Sequence, residues 1–407
     1  MSYDIMYKKL TITMGTPSIE AAPDLVMGRE EDQRRLWKNL EAGSLRLLSE
    51  RRMGKTWLLR LAIARKPDWA LPLMMDAEGF GSAADFVLDL NRQLHAEGII
   101  DDGRFEKTSN WFRRVLGRVQ GEKVAGIEIP EIDPWYSLLE DTCKRFVEGS
   151  NIRKAVLIID ELPFFLDKLM KANLRGDAIR ILDMLRRLRQ DLPSLRMVFC
   201  GSLGLHVVLQ RLAELGYTGR PLNDMPPFEV LPLDRKNARY LAGCLLTGEE
   251  IACGSLDACA AAVGEEACGV PFYIQHFVKW MRECGTKQWT PRQVRQIPED
   301  LFVAHGDPAD FIYYDGRLDE YYPEDVVELA RTTLDVISRN EKGASFDTIL
   351  NLVRHSPKTL TVDGSALLKI LGTLRDDHYL VQKKNAWKFK LDLIRRWWFK
   401  HRGEMGL

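Results

Sequence analysis

A loop between an apolar run and an apolar helix carries the residues of this sequence best suited to binding phosphate. The stretch from Ser49 to Thr56 matches the pattern G-x-x-x-x-G-K-[ST] at every fixed position except the first, where serine replaces glycine. In this pattern backbone N–H groups hold phosphate oxygens, and a glycine such as Gly54 lets the backbone approach them closely. Lys55 can reach the β- and γ-phosphates of a nucleotide, and the Thr56 hydroxyl can bind Mg²⁺. The predicted nucleotide contacts of this phosphate loop are Ser49, Arg51, Arg52, Met53, Gly54, Lys55, Thr56 and Trp57.

Two acidic residues at the end of a second apolar run supply the other half of this chemistry. The run from Val156 to Ile159 is uninterrupted, and Asp160 and Glu161 follow it directly. A buried parallel strand delivers such carboxylates to the carboxyl edge of its sheet. Asp160 is suited to supporting Mg²⁺, and Glu161 to orienting a water molecule for attack on a γ-phosphate. Strands that end in Asp-Glu are common for structural reasons, but the pairing with a phosphate loop favours nucleotide hydrolysis.

The elements that must position these residues alternate between strands and helices. Amphipathic spacing predicts helices that include residues 82–95 and 174–192. This alternation predicts the α/β fold class, with a parallel sheet flanked by helices. The predicted strands are Leu45–Leu48, Ala70–Asp76, the β-formers within Lys154–Glu161, Leu195–Cys200 and Phe228–Leu233.

Two polar residues beyond the fourth predicted strand are further candidates for chemistry. Ser202 follows that strand and could touch the γ-phosphate or the attacking water. Arg220 lies on a Gly-Tyr-Thr-Gly loop between the fourth and fifth strands, which can carry it away from its own phosphate site. The plain alternative for Arg220 is an ion pair with an acid such as Asp224.

Composition narrows the class of protein and its surroundings. The 407 residues contain 58 basic and 58 acidic side chains, so net charge gives no argument for a nucleic acid or a membrane as partner. No apolar run is long enough for a membrane span, and the N-terminus lacks a signal-peptide core, which predicts a cytoplasmic protein. None of the seven cysteines stands in a C-x-x-C pair, so we expect reduced core thiols and no zinc site.

The chain divides into segments of different character. Residues around 234–300 read as helical throughout, and the pattern changes again at Pro323. From there three amphipathic helices and a two-stranded hairpin, at about 379–389, predict a winged helix. The predicted division is an N-terminal arm (1–22), an α/β nucleotide domain (23–234), a helical lid (235–300), a linker (301–322) and a winged-helix domain (323–407).

Together these features resemble the archaeal-type ATPase branch of the STAND P-loop NTPases, which are relatives of the AAA+ proteins. The resemblance covers roughly residues 24–402, and its more specific elements are the double arginine of the loop and the closing Trp-Trp segment. The motifs that carry it are Gly28-Arg29-Glu30, Arg51-Arg52-Met53-Gly54-Lys55-Thr56, Ile159-Asp160-Glu161, Phe199-Cys200-Gly201-Ser202, Gly219-Arg220, Gly269-Val270-Pro271 and Phe389 to Trp398.

The resemblance implies ATP and Mg²⁺ as cofactors and a switch that closes its lid on ATP and often self-associates. It also implies that Gly28 and Arg29 lie near the adenine and that Pro271 closes the lid over the nucleotide. Arg220 would be the arginine before the last core strand, acting as a finger or as a nucleotide sensor. The sequence departs from the family at Ser49 and Glu50, where Gly-Pro is usual.

Three functions remain open at this stage. The leading one is a Mg²⁺-ATP-dependent switch that hydrolyses slowly and controls self-association or a partner. The second is a DNA-acting AAA+ ATPase, whose winged-helix hairpin would contact phosphates through Lys383, Lys384, Lys388 and Lys390. The third is a nucleotide-stabilised scaffold without turnover, against which Glu161 and Arg220 argue.

Overall fold

A computed structural model of the chain describes residues 6–100, 134–201, 204–355 and 359–404. These residues separate into two compact units, and each is described by itself. The sheet unit comprises Glu31–Leu48 and Leu58–Val230, and the helical unit comprises Met1–Glu30, Ser49–Trp57 and Leu231–Leu407.

The sheet unit is built on five parallel strands. Their bounds are β1 Leu45–Leu48, β2 Ala70–Asp76, β3 Lys154–Asp160, β4 Leu195–Phe199 and β5 Pro227–Glu229. The sheet has the order β2-β3-β4-β1-β5, and every neighbouring pair is parallel. In β3, six of seven residues are buried, because both faces of this central strand are covered. The predicted α/β fold class with a parallel, helix-flanked sheet is therefore confirmed.

Helices precede and connect these strands along the chain. Those before and between the first strands are α1 Ala22–Leu25, α2 Glu30–Ala42, α3 Lys55–Ala64 and α4 Ala83–Ala96. The later ones of this half are α5 Pro134–Gly149, α6 Leu162–Lys171, α7 Arg175–Asp191 and α8 Leu205–Glu214. Helix α4 shows how the sequence sets a boundary: the Ser82 side chain accepts a hydrogen bond from the Asp85 amide and caps the first turn.

The helical unit contains all the elements after residue 231. The first group is α9 Arg235–Gly248, α10 Leu256–Glu266, α11 Pro271–Glu283, α12 Pro291–Val294 and α13 Ile297–Phe302. The second group is α14 Tyr313–Tyr321, α15 Glu324–Ser338, β6 Ala344–Ser345, α16 Phe346–Val353, α17 Gly364–Asp376, β7 Leu380–Lys383, β8 Ala386–Phe389 and α18 Asp392–Glu404. The three short strands form an antiparallel sheet of order β6-β8-β7. The winged-helix interpretation rests on this succession from α15 to β8.

The segment predicted as a linker, residues 301–322, is folded into the helical unit. Its helix α14 buries Tyr314, Arg317, Leu318 and Tyr321. Arg317 is 3.7 Å from the Asp377 carboxylate, and both side chains are almost fully inaccessible. The aromatic rings of this segment therefore supply buried core area as well as a connection along the chain.

The predicted N-terminal arm packs along α9. The Leu10 amide donates to the Cys244 carbonyl at 3.1 Å, and the Ile12 amide donates to the Glu249 carboxylate at 2.7 Å. Gly248 permits this approach, because a Cβ at that position would overlap the Leu10 backbone. Among the described residues, no helix combines the length and the apolar character that crossing a membrane requires.

Candidate functional site

The phosphate loop follows β1 directly, and α3 begins at Lys55. Two of its residues adopt left-handed backbone conformations: Gly54 with φ +80° and Arg52 with φ +75°. Ser49 is not one of them, so the serine that replaces the usual glycine carries no left-handed strain. The Lys55 ammonium is buried and donates to the Ser49 carbonyl at 3.0 Å and the Glu50 carbonyl at 3.2 Å. The loop is therefore already curved around its lysine.

Glu50, which sequence reasoning did not assign a role, is buried in the helical unit. The Tyr314 hydroxyl donates a hydrogen bond to its Oε1 atom, while Oε2 has no hydrogen-bond partner among the described residues. Burial raises the pKa of this carboxyl group, and the hydrogen bond from Tyr314 opposes that shift. The loop is thus tied to α14 through an acid at the position where proline is usual.

The double arginine of the loop also contacts residues from the second half of the chain. Arg52 donates to the Tyr273 hydroxyl at 2.8 Å and pairs with the Asp310 carboxylate. Its guanidinium lies within about 5 Å of the Phe272 ring, and that of Arg51 stacks on Tyr313. Such contacts satisfy a buried cation and position the backbone that would meet phosphate. No sequence signal marks Tyr273 or Asp310 as loop partners.

Gly28 and Arg29, expected near an adenine, contact the loop and the start of the lid. Arg29 is buried and donates to the Met53 carbonyl and the Leu231 carbonyl, both at 2.7 Å. Gly28 has φ +72°, and a Cβ there would lie 2.7 Å from the Asn237 Cβ atom. Asn237 lines a cavity of about 1050 Å³ along α9 and α10. Pro271, the expected lid residue, is the first residue of α11.

In the sheet unit, Asp160 ends β3 and Glu161 forms the corner before α6. Glu161 has a left-handed backbone, with φ +53°, and its amide donates to Asp160 Oδ1 at 3.1 Å. Asp160 is only 5% exposed. Within the described ranges, no three His, Cys, Asp or Glu side chains cluster as a metal site, and the described cysteines are free thiols.

Of the two candidates that follow β4, Ser202 and Arg220, the structure describes only Arg220. Ser202 lies outside the described residues. Arg220 is exposed on the segment between α8 and β5. Among the described residues no ion pair joins Arg220 to Asp224, and Arg189 donates to both oxygens of that carboxylate at 2.9 Å. Arg189 of α7 is buried against Asp224 and the Pro221 carbonyl.

The hairpin that carries the four predicted phosphate-contacting lysines divides them into two pairs. Lys383 and Lys384 are exposed at its tip, whereas Lys388 is half-buried. The Lys390 ammonium is 3.2 Å from His378 Nδ1. Burial, reinforced by the charge of Lys390, lowers the pKa of His378 to about 3, so this imidazole stays neutral and can accept the hydrogen bond.

Comparison with solved structures identifies proteins of the same fold. A Walker-type ATPase of Pyrococcus abyssi aligns over 95% of this chain and 99% of its own, with a TM-score of 0.61 and 16% identity. The ORC2 protein of Aeropyrum pernix, in a structure with ADPNP and ADP, aligns over 93% and 96%, with a TM-score of 0.50 and 9% identity. No protein-family model matches the sequence, and no curated protein is significantly similar to it. The chain has the fold of these P-loop ATPases.

Proposed function

We propose that this protein is a Mg²⁺-ATP-dependent switch of the STAND and AAA+ type that hydrolyses ATP slowly. The observation that carries the proposal is the curved phosphate loop, in which buried Lys55 bonds to the Ser49 and Glu50 carbonyls. Such bonds from Lys55 hold the backbone of the loop, which lowers the conformational entropy lost when phosphate oxygens bind. The helix that begins at Lys55 adds the partial positive charge of its N-terminus.

The residues present fit a magnesium ion. Asp160 is a buried carboxylate at the end of a central strand, and β3 and β1 end at the same edge of one parallel sheet. In this proposal the Thr56 hydroxyl binds the ion and Asp160 supports it. When bound, Mg²⁺ neutralises charge that develops on the β- and γ-phosphate oxygens.

Glu161 is the proposed catalytic carboxylate. It holds the attacking water and accepts its proton, while Lys55 stabilises charge on the phosphates. Its left-handed corner is a sparsely populated conformation for a non-glycine residue, and such conformations persist where neighbouring structure fixes them.

The loop contacts support the switch. Glu50 and Arg52 bind Tyr314, Tyr273 and Asp310 through their side chains, while their backbone amides belong to the phosphate loop. A nucleotide that shifts the loop must therefore alter the surroundings of α11 and α14. We propose that this shift controls self-association or a partner.

Replacing Glu161 with glutamine should stop turnover and leave ATP binding intact, because the amide cannot accept the water's proton. Phosphate release measures turnover, and calorimetry with ATP measures affinity. A Glu97→Gln variant, which changes an exposed acid of the same unit, should behave as wild type. Hydrolysis at the wild-type rate in Glu161→Gln would assign the base elsewhere. A wild type that binds ATP but never turns it over would favour the scaffold alternative.

DNA binding is a second candidate, favoured only by the two exposed lysines at the hairpin tip. Replacing Lys383 and Lys384 with glutamine should make the slope of log K against log salt less negative by about two units, since each lost phosphate contact removes roughly 0.9. Fluorescence anisotropy of a labelled duplex at several salt concentrations measures this slope. Lys390→Gln is the matched control, because Lys390 contacts His378. Absence of binding by the wild type at low salt would exclude this candidate.

A further inference from the structure

We propose that Cys200 is a positioning residue for the two acids of the site. Its Sγ atom is 3.1 Å from Asp160 Oδ1, in hydrogen-bond geometry with the thiol as donor. The sequence suggested only a reduced core thiol at this position. The inference rests on the proposed function, because it concerns how Asp160 supports magnesium and how Glu161 is held.

The thiol acts where water cannot replace it. Cys200 is 2% exposed and Asp160 is 5% exposed. The same oxygen, Asp160 Oδ1, also accepts the hydrogen bond from the Glu161 amide. Two donors on one carboxylate oxygen fix the rotation of the carboxyl group, and loss of the thiol would remove one of them with no solvent to compensate.

The backbone of Cys200 completes the corner. Its amide donates to the Ile159 carbonyl at 3.1 Å, and its carbonyl accepts from the Leu162 amide at 3.2 Å. These bonds lie on either side of Asp160 and Glu161 in the chain. They place the end of β4 against the turn from β3 into α6 and leave the thiol in register with Asp160.

Gly201 continues this support beside the second acid. A Cβ at Gly201 would lie 3.2 Å from Glu161 Oε2 and 2.7 Å from Pro163 Cδ. The Glu161 carboxylate therefore lies against the backbone that follows Cys200. The segment Cys200-Gly201 thus lies beside both acids. The Cys200 side chain contacts Asp160, and Gly201, which has no side chain, leaves room for the Glu161 carboxylate.

The expected chemical consequence is a change in the affinity of the site for divalent metal ions. Groups that orient a metal-supporting carboxylate typically change metal affinity or activity by about 10- to 100-fold when they are removed. We therefore expect Cys200→Ala to weaken divalent-metal binding to the nucleotide complex by roughly 10-fold, with little change in metal-free ADP affinity. Cys200→Ser keeps a hydroxyl donor and should recover most of the loss.

The experiment uses the full chain and three variants: Cys200→Ala, Cys200→Ser and Cys143→Ala. Cys143 is the matched control, since it is a fully buried thiol of α5 in the same unit. Mn²⁺ binding in the presence of a non-hydrolysable ATP analogue is titrated by electron paramagnetic resonance. ADP affinity without metal, turnover against Mg²⁺ concentration and the melting temperature are measured beside it.

The proposal is supported if Cys200→Ala alone shifts the Mn²⁺ and Mg²⁺ half-saturation points and Cys200→Ser reverses the shift. It is overturned if Cys200→Ala binds Mn²⁺ as wild type does, or if Cys143→Ala shows the same loss for the same fall in melting temperature. If Cys200→Ala does not fold, a Cys200→Ser variant with Mn²⁺ affinity reduced 10-fold also overturns it. If the wild type binds neither the ATP analogue nor Mn²⁺, the proposed function itself is wrong. This result differs from one in which only the role of Cys200 is wrong.

Discussion

Replacing Lys55 with alanine should reduce ATP and ADP affinity by about 100-fold or more. The nucleotide would lose the charge-assisted hydrogen bonds that its phosphates accept from the ammonium, each contributing about 1.5–3 kcal/mol. Two such bonds exceed the roughly 2.7 kcal/mol that correspond to a 100-fold change in affinity. The loop would also lose its bonds from Lys55 to the Ser49 and Glu50 carbonyls. Calorimetric titration with each nucleotide measures the effect.

Lys66→Ala is the control for this prediction. Lys66 is an exposed lysine just beyond the end of α3, so its removal lowers the net charge equally without touching the loop. Both variants should melt within a few degrees of the wild type. Wild-type affinity in Lys55→Ala, with Lys66→Ala unchanged, would contradict the phosphate-loop assignment and with it the proposed function.

The sequence predicted the sheet well because its strands are marked by local signals. β3, Lys154–Asp160, lies within the predicted stretch Lys154–Glu161, since a short apolar run rich in β-branched residues favours a strand over a helix. The fifth strand is shorter than predicted, Pro227–Glu229 instead of 228–233. Pro232 has no amide hydrogen to donate to a neighbouring strand.

The chemistry-bearing residues were also visible, but their supports were not. Lys55 and Asp160 belong to motifs with fixed spacing. Tyr314, which binds Glu50, is 264 residues away from it in the chain. Such pairings depend on how the chain folds back and leave no periodic trace in the sequence.

The burial of a charged side chain is equally hard to predict from the sequence. The arginines of α7 repeat on a helical face and suggest exposure, yet Arg189 is buried by a carboxylate from a different element. Helical periodicity states which residues share a face, and it does not state what covers that face. The correction matters for function, because Arg189 anchors the segment that carries Arg220 through Asp224 and the Pro221 carbonyl.

Arg220→Ala should lower the rate of ATP hydrolysis by about 1,000-fold if Arg220 acts on a neighbouring subunit. A guanidinium against the γ-phosphate stabilises transition-state charge, an effect worth on the order of 10³-fold or more. The side chain is exposed, and among the described residues it forms no ion pair that would withhold it. Buried Arg189 holds the backbone segment that carries Arg220. This anchoring favours a guanidinium in a fixed position over a mobile one. Arg180→Ala, which removes an exposed arginine of α7, is the control.

Action in trans makes two further demands. Turnover per subunit should rise with protein concentration, because an isolated subunit lacks the neighbour's guanidinium. Arg220→Ala and Glu161→Gln proteins, each nearly inactive alone, should regain partial activity when mixed, since a mixed oligomer contains interfaces at which an intact Glu161 meets an intact Arg220. Light scattering must show that the mixed oligomer forms. Arg220 does not act in trans if the mixed oligomer forms, mixing restores no activity, and turnover per subunit is independent of protein concentration. The remaining roles for Arg220 would then be a sensor within its own subunit or an ion pair with an acid.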